Sequence, residues 1–257
     1  MAKVIVLANR KGGSGKTTLA FNLSHAFKSK KTFSEKILLI DFDSQAHSTV
    51  YAGINPFDVK YGIYEMIVDY INTGKYKDGK ISMHNIDIIP SNQNLAALEI
   101  ELAHHEERNF VLKDLIIDFH NEYDYIFIDT PPSLGLLTIN ALNASDYLLI
   151  PVKSDFLSLV GLSQMMEIYY KVNVENPNLK ILGVIPTMVD KRTKISKEII
   201  GELKKIFGDK KVFTPLRNDV KLIESSSHGI PIIKYAPKSR ASSDIKKIAK
   251  EIQELIK

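Results

Sequence analysis

A glycine-rich segment between a short apolar run and a helical pattern constrains this chain more than any other feature. Backbone N–H groups of such a turn, together with the start of the following helix, favour a bound anion. The spacing lets Lys16 reach the outer phosphates of a nucleoside triphosphate and lets the Thr17 hydroxyl ligate Mg²⁺. The sequence therefore predicts a phosphate-binding loop, which reads Lys11-Gly12-Gly13-Ser14-Gly15-Lys16-Thr17-Thr18.

Apolar runs rich in Ile, Val and Leu recur along the chain and are separated by helical patterns. Continuous apolar runs predict strands that are covered on both faces, and helices between them make the strands parallel. We therefore expect a doubly wound α/β fold, a mostly parallel sheet flanked by helices. One domain spanning residues 1–257 is expected, with no helix-turn-helix before it. The runs lie at residues 4–8, 37–40, 86–89, 125–128, 147–152 and 181–185.

Composition excludes several classes of protein. The chain has no cysteine, which excludes disulfides, thiolate metal sites and iron–sulfur clusters. The apolar run before Asn9 is shorter than the roughly seven to fifteen residues of a secretory signal. A run of the roughly eighteen apolar residues that can cross a bilayer does not occur either. We therefore expect a cytoplasmic protein.

Charge is distributed unevenly along the chain. The net charge is +4, but residues 191–257 contain 17 basic and 8 acidic residues, whereas residues 1–190 carry a net −5. A polyanion would prefer the C-terminal third. A lysine-rich solvated surface explains the same composition equally well, so charge alone leaves both interpretations open.

Carboxylates follow two of the predicted strands. Asp41 and Asp43 end the second run, and Asp129 ends the fourth. Ligands of doubly wound sheets lie outside the carboxyl ends of the strands, so these side chains should lie beside the phosphate loop. We expect Asp129 to act on the metal ion, directly or through water, and one of Asp41 and Asp43 to brace the metal shell while the other faces the γ-phosphate.

The phosphate loop resembles the deviant Walker A motif, KGGxGKT[TS], of the ParA/MinD/NifH class of dimeric P-loop ATPases. Arg10 occupies the position of the usual first glycine, and Lys11 enters the turn as a second lysine. The resemblance implies a homodimer that holds ATP and Mg²⁺ between its subunits. It also implies that Lys11 of each subunit reaches the partner's nucleotide, and it gives Lys11 and Lys16 catalytic roles.

Two further segments resemble ParA motifs. Residues 41–47 are similar to the box DxDPQ(G/A)N, in which Ser44 and His47 replace the proline and the asparagine. This resemblance assigns the orientation of the attacking water to Asp43 and leaves Asp41 to the metal. Residues 129–135 are similar to the DxPP…G switch, which implies that Pro131, Pro132 and Gly135 follow the γ-phosphate and contribute to the dimer interface.

ParA-like landmarks continue in order to the C-terminal part of the chain, at residues 149–152, 159–162, 186–190, 214–220 and 224–231. The resemblance implies that adenine lies between the segment after the sixth predicted strand and a later loop. That assignment adds Thr187, Asp190, Pro215 and Asn218 to the ATP site. It also implies slow hydrolysis stimulated by a ParB-like centromere-binding protein, in plasmid or chromosome partition.

The nucleotide switch could act on either of two surfaces. Ile245, Ile248, Ile252 and Leu255 form an apolar stripe on a basic C-terminal helix, as in MinD-like proteins that bind membranes. We expect this stripe to be core, which makes non-specific DNA the preferred partner. The alternative is a MinD-like ATPase that binds a membrane or positions another cellular cargo. Such a protein would associate with the nucleoid when ATP is bound. The proposed phosphate contacts are Arg217, Lys221, Lys238, Arg240, Lys246 and Lys247.

Overall fold

A computed structural model describes residues 1–28 and 35–256 of the protein. Seven strands in these ranges form one sheet of order β3-β4-β2-β5-β1-β6-β7. All neighbouring strands are parallel except β3 and β4. The strands are β1 (Lys3–Leu7), β2 (Ile37–Asp41), β3 (Ile81–Met83), β4 (Ile86–Ile89), β5 (Tyr125–Asp129), β6 (Tyr147–Lys153) and β7 (Lys180–Thr187).

Helices connect the strands and cover both faces of the sheet. Short 3₁₀ turns occur at Pro56–Asp58, Gln93–Ala97, Ile117–Asn121 and Asp209–Lys211. The α-helices of the described ranges are α1 (Lys16–Phe27), α2 (His47–Tyr51), α3 (Ile63–Thr73), α4 (Leu98–Glu101), α5 (Val111–Ile116), α6 (Leu136–Asn143), α7 (Leu157–Glu175), α8 (Lys194–Phe207), α9 (Val220–Ser227), α10 (Ile232–Tyr235) and α11 (Arg240–Leu255).

The sheet register aligns the ends of three adjacent strands. Leu7, the last residue of β1, pairs with Asp129 at the end of β5, and Asp41 at the end of β2 pairs with the same Asp129. The loop that follows β1 therefore emerges beside two strand-end carboxylates. This edge of the sheet is where doubly wound folds bind ligands.

Alternating residues of the strands feed two cores, one on each face of the sheet. In β1, Val4 and Val6 join the core packed by α3, α5, α6 and α7, whereas Ile5 and Leu7 join the core packed by α1 and α11. Such two-sided burial explains why the strands read as continuous apolar runs in the sequence.

The apolar stripe of α11 belongs to the second core. Ile245, Ile248 and Ile252 are fully buried and pack with residues of α1. The expectation that this stripe is core is confirmed for these three residues, but it is wrong for Leu255, which is 52% exposed because it lies in the last turn of the helix. None of the described helices combines the length and apolar character needed to cross a membrane.

Each of the six predicted strands is present, and the predicted fold class is confirmed. The sequence did not predict β3, which has three residues and pairs antiparallel with β4. Two of its three residues are exposed, so it lacks the buried apolar pattern that reveals the other strands.

Candidate functional site

The phosphate loop connects β1 to α1 through two left-handed glycines. Gly13 has φ +68° and Gly15 has φ +93°, conformations that a side chain makes costly. Gly12 and Gly13 are exposed, and no atom lies near the position of a side chain on either residue. The loop therefore presents its backbone to open space directly before the first turn of α1, which begins at Lys16.

The far side of the loop is fastened to β7. The Thr187 hydroxyl donates a hydrogen bond of 2.7 Å to the Ser14 carbonyl, and Thr187 is buried. Its methyl carbon lies 3.5 Å from the point where a Cβ on Gly15 would stand. Thr187 thus lies beneath the loop, where it supports the backbone. Thr17 and Thr18 occupy the first turn of α1 and are partly exposed.

Lys16 is a buried cation among carboxylates. Its Nζ donates to the Asn9 carbonyl at 3.2 Å, and the residue is 6% exposed. Burial lowers the pKa of the Lys16 ammonium, while the charges of Asp129 and Asp43 act to raise it. The structure therefore brings these three predicted residues together.

Asp129 and Asp41 are fully buried side by side. Burial raises the pKa of the Asp129 carboxyl to about 6, although hydrogen bonds from Thr17 and Ser48 oppose the shift. Burial and the neighbouring Asp129 charge raise the pKa of Asp41 to about 8, against hydrogen bonds from Thr49. Two buried carboxylates this close repel each other, and a cation between them would relieve the repulsion.

The residues fit a magnesium ion. Asp129 Oδ1 is buried and has no hydrogen-bond partner among the described residues. The Thr17 hydroxyl is close enough to act on the pKa of the same carboxyl, so hydroxyl and carboxylate oxygens, both hard donors, are present together. Within residues 1–28 and 35–256, no three His, Cys, Asp or Glu side chains form a metal cage. Mg²⁺ commonly takes only one or two carboxylates from a protein, with phosphates and water completing its shell.

Asp43 lies in the loop between β2 and α2. It is 5% exposed, and its Oδ1 accepts a hydrogen bond from the Gln45 N–H at 3.0 Å. Ala46 ends the loop at φ +54°, a left-handed conformation, and α2 starts at the exposed His47.

Lys11 does not lie over its own phosphate loop. Its Nζ contacts the carboxylate of Asp155 and lies 3.2 Å from the Ser158 hydroxyl, at the start of α7. Burial acts to raise the pKa of the Asp155 carboxyl, but hydrogen bonds from Lys11 and Ser158 outweigh it and hold the pKa below its usual value. Three apolar residues close to Asp155 in sequence are exposed, namely Phe156 before α7 and Leu157 and Val160 in its first turn.

The proline segment runs from Asp129 to the start of α6. Pro131 is buried, Pro132 is exposed, and Gly135 precedes the first residue of α6. A Cβ on Gly135 would lie 2.5 Å from Glu99 Oε1, so a side chain at this position would require the Glu99 carboxylate to move. Glu99 approaches the start of α6, where negative charge is favourable.

A cavity of about 520 Å³ opens next to the phosphate loop. It contains the predicted Asn218, whose side-chain amide donates to the Met188 carbonyl at 3.2 Å. Met188 has φ +53°, which is uncommon for a residue with a side chain. Of the apolar lining residues, Met188 and Leu216 lie within the two predicted segments, 187–190 and 215–218. The others were not predicted from the sequence; they are Tyr51, Val220, Leu222 and Ile223.

The other predicted adenine contacts lie outside this cavity. Asp190 forms a bidentate ion pair with Arg192, whose hydrogen bonds lower the pKa of the Asp190 carboxyl to about 2. Thr187 lies beneath the phosphate loop, and Pro215 precedes the lining residue Leu216. The two predicted segments do border the cavity, but through neighbouring residues.

The predicted DNA contacts divide into two groups. The Arg217 guanidinium forms a bidentate ion pair with the buried Asp244, at 2.8 and 2.7 Å, and Lys247 lies 4.0 Å from Glu251. Four others are exposed around the N-terminal end of α11, and we call them the α11 basic patch. The patch comprises Lys221, Lys238, Arg240 and Lys246.

Comparisons with known proteins agree with this geometry. A family model described as an AAA domain matches residues 2–181. Soj, the sporulation initiation inhibitor protein of Bacillus subtilis, is 41% identical over 253 residues, 98% of each chain. The chromosome partitioning protein ParA of Caulobacter vibrioides is 34% identical over 255 residues, which cover 97% of this chain and 93% of that protein.

The fold also occurs in a nucleotide-bound structure. Cobyrinic acid a,c-diamide synthase from Mycobacterium smegmatis with bound ADP and magnesium superposes with a TM-score of 0.82 at 25% identity, covering 97% of this chain and 93% of that one. Magnesium and an adenine nucleotide therefore occur on this fold. By its phosphate loop, its strand-end carboxylates and its full-length similarity to Soj and ParA, the chain belongs to the Soj/ParA family of P-loop ATPases.

Proposed function

We propose that this chain is an ATPase switch for DNA partition, which dimerises on ATP, binds DNA non-specifically as the dimer and is released by hydrolysis. The observation that carries the proposal is the convergence of Lys16, Asp43 and Asp129 beside the phosphate loop. Full-length similarity to a chromosome partitioning protein supports the same process for this chain.

The reaction assigned to the site is hydrolysis of ATP to ADP and phosphate. Lys16 holds the outer phosphates, and the loop glycines offer backbone N–H groups to them. Thr17, Asp129 and Asp41 would hold Mg²⁺, which neutralises phosphate charge when bound. Asp43 accepts a hydrogen bond from the attacking water and orients it. The apolar cavity beside Gly15 and Thr18 receives the base.

Dimerisation gives Lys11 its role. In the isolated chain this ammonium is directed to Asp155 and Ser158, away from the phosphates of its own loop. In the proposed dimer Lys11 leaves these residues and contacts the partner subunit's nucleotide. The proline segment with Pro131, Pro132 and Gly135 lies between the metal carboxylate and α6, so we assign to it the transmission of the γ-phosphate state to the interface.

The α11 basic patch is the proposed DNA surface. Its cations are exposed lysine and arginine side chains, which favour contacts with phosphate groups over base readout. Arg217, Lys247 and, within the patch, Lys221 are weaker candidates, since each faces a carboxylate of its own chain. Recognition of a partition site and stimulation of hydrolysis then require a separate ParB-like protein.

Light scattering and DNA binding test the proposal together. With Mg²⁺ and a slowly hydrolysed ATP analogue, the measured mass should double, and fluorescence anisotropy should detect binding to duplexes of arbitrary sequence. Each phosphate contact should contribute about 0.9 to the logarithmic salt slope. Lys238→Ala with Arg240→Ala should reduce that slope, whereas Lys250→Ala, an exposed lysine farther along α11, should leave it unchanged.

Other outcomes would contradict the proposal. A monomeric mass with the analogue would reject the dimer, and DNA binding that ignores ATP and salt would reject the switch. Association with anionic liposomes but not with DNA would favour the membrane alternative, although the burial of Ile245, Ile248 and Ile252 argues against an anchor in α11.

A further inference from the structure

Two buried hydroxyl groups at the start of α2 are directed at the carboxylates of the proposed metal site. Ser48 and Thr49 are fully buried and follow the loop that carries Asp43. The Ser48 hydroxyl donates to Asp129 Oδ2 at 2.9 Å. The N–H and the hydroxyl of Thr49 both donate to Asp41 Oδ2 at 2.7 Å. One short helix therefore contacts both strand-end carboxylates.

The Thr49 hydroxyl is fixed in orientation. Its hydrogen is directed to Asp41, and its oxygen accepts a hydrogen bond of 2.9 Å from the Ser91 N–H, after β4. A hydroxyl has one hydrogen to donate, so these two contacts define where it points. Asp41 is thereby held from two sides, because its Oδ1 also accepts from the Asp43 N–H at 3.3 Å.

Ser48 acts differently, because it holds only one oxygen of its carboxylate. Asp129 Oδ2 is bound by the Ser48 hydroxyl, whereas Oδ1 is buried without a partner among the described residues. The hydrogen bond to Oδ2 fixes the orientation of the carboxylate and leaves Oδ1 available to a metal ion. Metal sites use such outer hydrogen bonds to orient their ligands.

A purely local role for these hydroxyls does not fit the contacts. Ser and Thr near helix starts often bond to the backbone of their own helix, as caps or by back-bonding. Here the hydroxyls of Ser48 and Thr49 bond to carboxylates of β5 and β2, which lie 81 and 8 positions away in sequence, and not to the backbone of α2. The start of α2 has no side-chain cap.

We propose that Ser48 and Thr49 are positioning residues for the metal-dependent reaction, which fix the carboxylates of Asp129 and Asp41 and tie them to the loop of Asp43. Asp43 lies in the loop before α2, and Ser48 and Thr49 lie in the helix itself. A shift of α2 would therefore move Asp43 together with the carboxylates that the two hydroxyls hold. This inference rests on the proposed ATPase function and adds to it a structural link between the metal and the water-orienting residue.

The test measures metal binding directly. Mn²⁺ replaces Mg²⁺, and electron paramagnetic resonance reports free Mn²⁺ during titration of the ADP-bound protein. Ser48→Ala and Thr49→Val should weaken Mn²⁺ binding by about 10 to 100-fold, the usual effect of removing an outer-shell partner. Thr49→Ser keeps the hydroxyl and should restore the affinity. ADP affinity in EDTA should stay unchanged in all of them.

A buried serine elsewhere supplies the control. Ser145 is 3% exposed, and its hydroxyl donates to the Ala141 carbonyl at 2.6 Å, away from the site. Ser145→Ala should leave Mn²⁺ binding unchanged, and thermal unfolding of every variant reports its folding. If Ser48→Ala does not fold, the inference is tested by the Mn²⁺ affinity of Thr49→Val compared with that of Thr49→Ser.

Two results would overturn the inference. The first is Mn²⁺ affinity in Ser48→Ala and Thr49→Val equal to that of Ser145→Ala. The second is loss of ADP binding in EDTA in parallel with thermal stability, which would show a merely structural role. A failure of the proposed function is distinguishable, since the unaltered protein would then neither bind Mn²⁺ with ADP nor hydrolyse ATP.

Discussion

The ammonium of Lys11 contacts the carboxylate of Asp155, a residue 144 positions later in the chain. Both side chains are partly exposed, at 23% and 34%, so the pair is worth at most about 1 kcal/mol. The ion pair is therefore weak enough to break when a group that binds the Lys11 ammonium more strongly comes into contact with it. In the proposed dimer that partner is the phosphate of the other subunit's nucleotide.

We expect Asp155→Asn to strengthen ATP-dependent dimerisation by up to about fivefold, because the isolated chain no longer holds Lys11 by charge. Asparagine still accepts the hydrogen bonds from Ser158 at the start of α7, so folding should be preserved. Sedimentation equilibrium with a slowly hydrolysed analogue measures the effect. Glu198→Gln, which removes an exposed ion pair on α8, serves as the control. Weaker dimerisation of Asp155→Asn would show that the contact supports the dimer.

Three substitutions should separate the proposed roles at the phosphate site. Lys16→Ala should lose nucleotide binding, since the loop then lacks its buried cation. Asp43→Ala should bind ATP and dimerise but hydrolyse it poorly. Lys11→Ala should bind nucleotide yet fail to turn it over. Equilibrium binding of a fluorescent ATP analogue, combined with phosphate release, distinguishes the three. Unchanged turnover in Lys11→Ala would reject the cross-subunit assignment.

His25 should make folding stability depend on pH. It is buried against Phe21 and 6.0 Å from the His84 ring, and burial lowers its pKa to about 3. In the unfolded chain its pKa is near 6.5, so below that pH the unfolded state binds the extra proton. The His25 contribution is therefore complete above pH 6.5 and is lost as pH falls toward 3, by about 1.4 kcal/mol per pH unit.

Urea unfolding at pH 5 and at pH 7 measures this contribution by comparison with His25→Leu: from pH 7 to pH 5, the free energy of unfolding of the unaltered protein should fall by about 2 kcal/mol relative to that of the variant. The comparison needs the variant because Asp41 and Asp129, whose pKa values are raised, change stability in the opposite direction. Equal pH slopes for both proteins would show that the pKa of His25 is the same in the folded and the unfolded protein, and would contradict the effect of burial.

A pair of glycines should respond oppositely to alanine. A Cβ on Gly183, in β7, would lie 2.5 Å from the Lys211 carbonyl oxygen, which is backbone and cannot rotate away. Gly183→Ala should destabilise the fold by about 1 to 3 kcal/mol. Gly201 lies inside α8 with no atom near its Cβ position, so Gly201→Ala should stabilise by about 0.5 to 1 kcal/mol. Denaturant titration checks both, and a stabilised Gly183→Ala would refute the steric argument.

Local patterns were sufficient for much of the fold. The runs that became β1, β2, β4 and β5 are continuous and apolar because both faces of the sheet are covered. The phosphate loop was predictable because its glycines, lysines and threonine are adjacent in sequence. Strand order was not predictable from these patterns, since it depends on packing between distant segments.

Contacts between distant residues explain what the sequence did not predict. The cavity beside Gly15 includes Val220, Leu222 and Ile223 of α9, ordinary apolar residues that come next to the phosphate loop only in the folded chain. The bond between Ser48 and Asp129 joins residues 81 positions apart. Neither feature leaves a local pattern that a reader of the sequence could recognise.

The hydrogen bond between Thr187 and the Ser14 carbonyl has a consequence for how the protein meets its nucleotide. A loop already anchored to the sheet loses little conformational entropy when a ligand arrives, so more of the contact energy appears as affinity. We therefore expect the nucleotide to bind with little movement of the phosphate loop. In the proposed dimer, the larger rearrangement would then accompany the later encounter of two nucleotide-bound subunits.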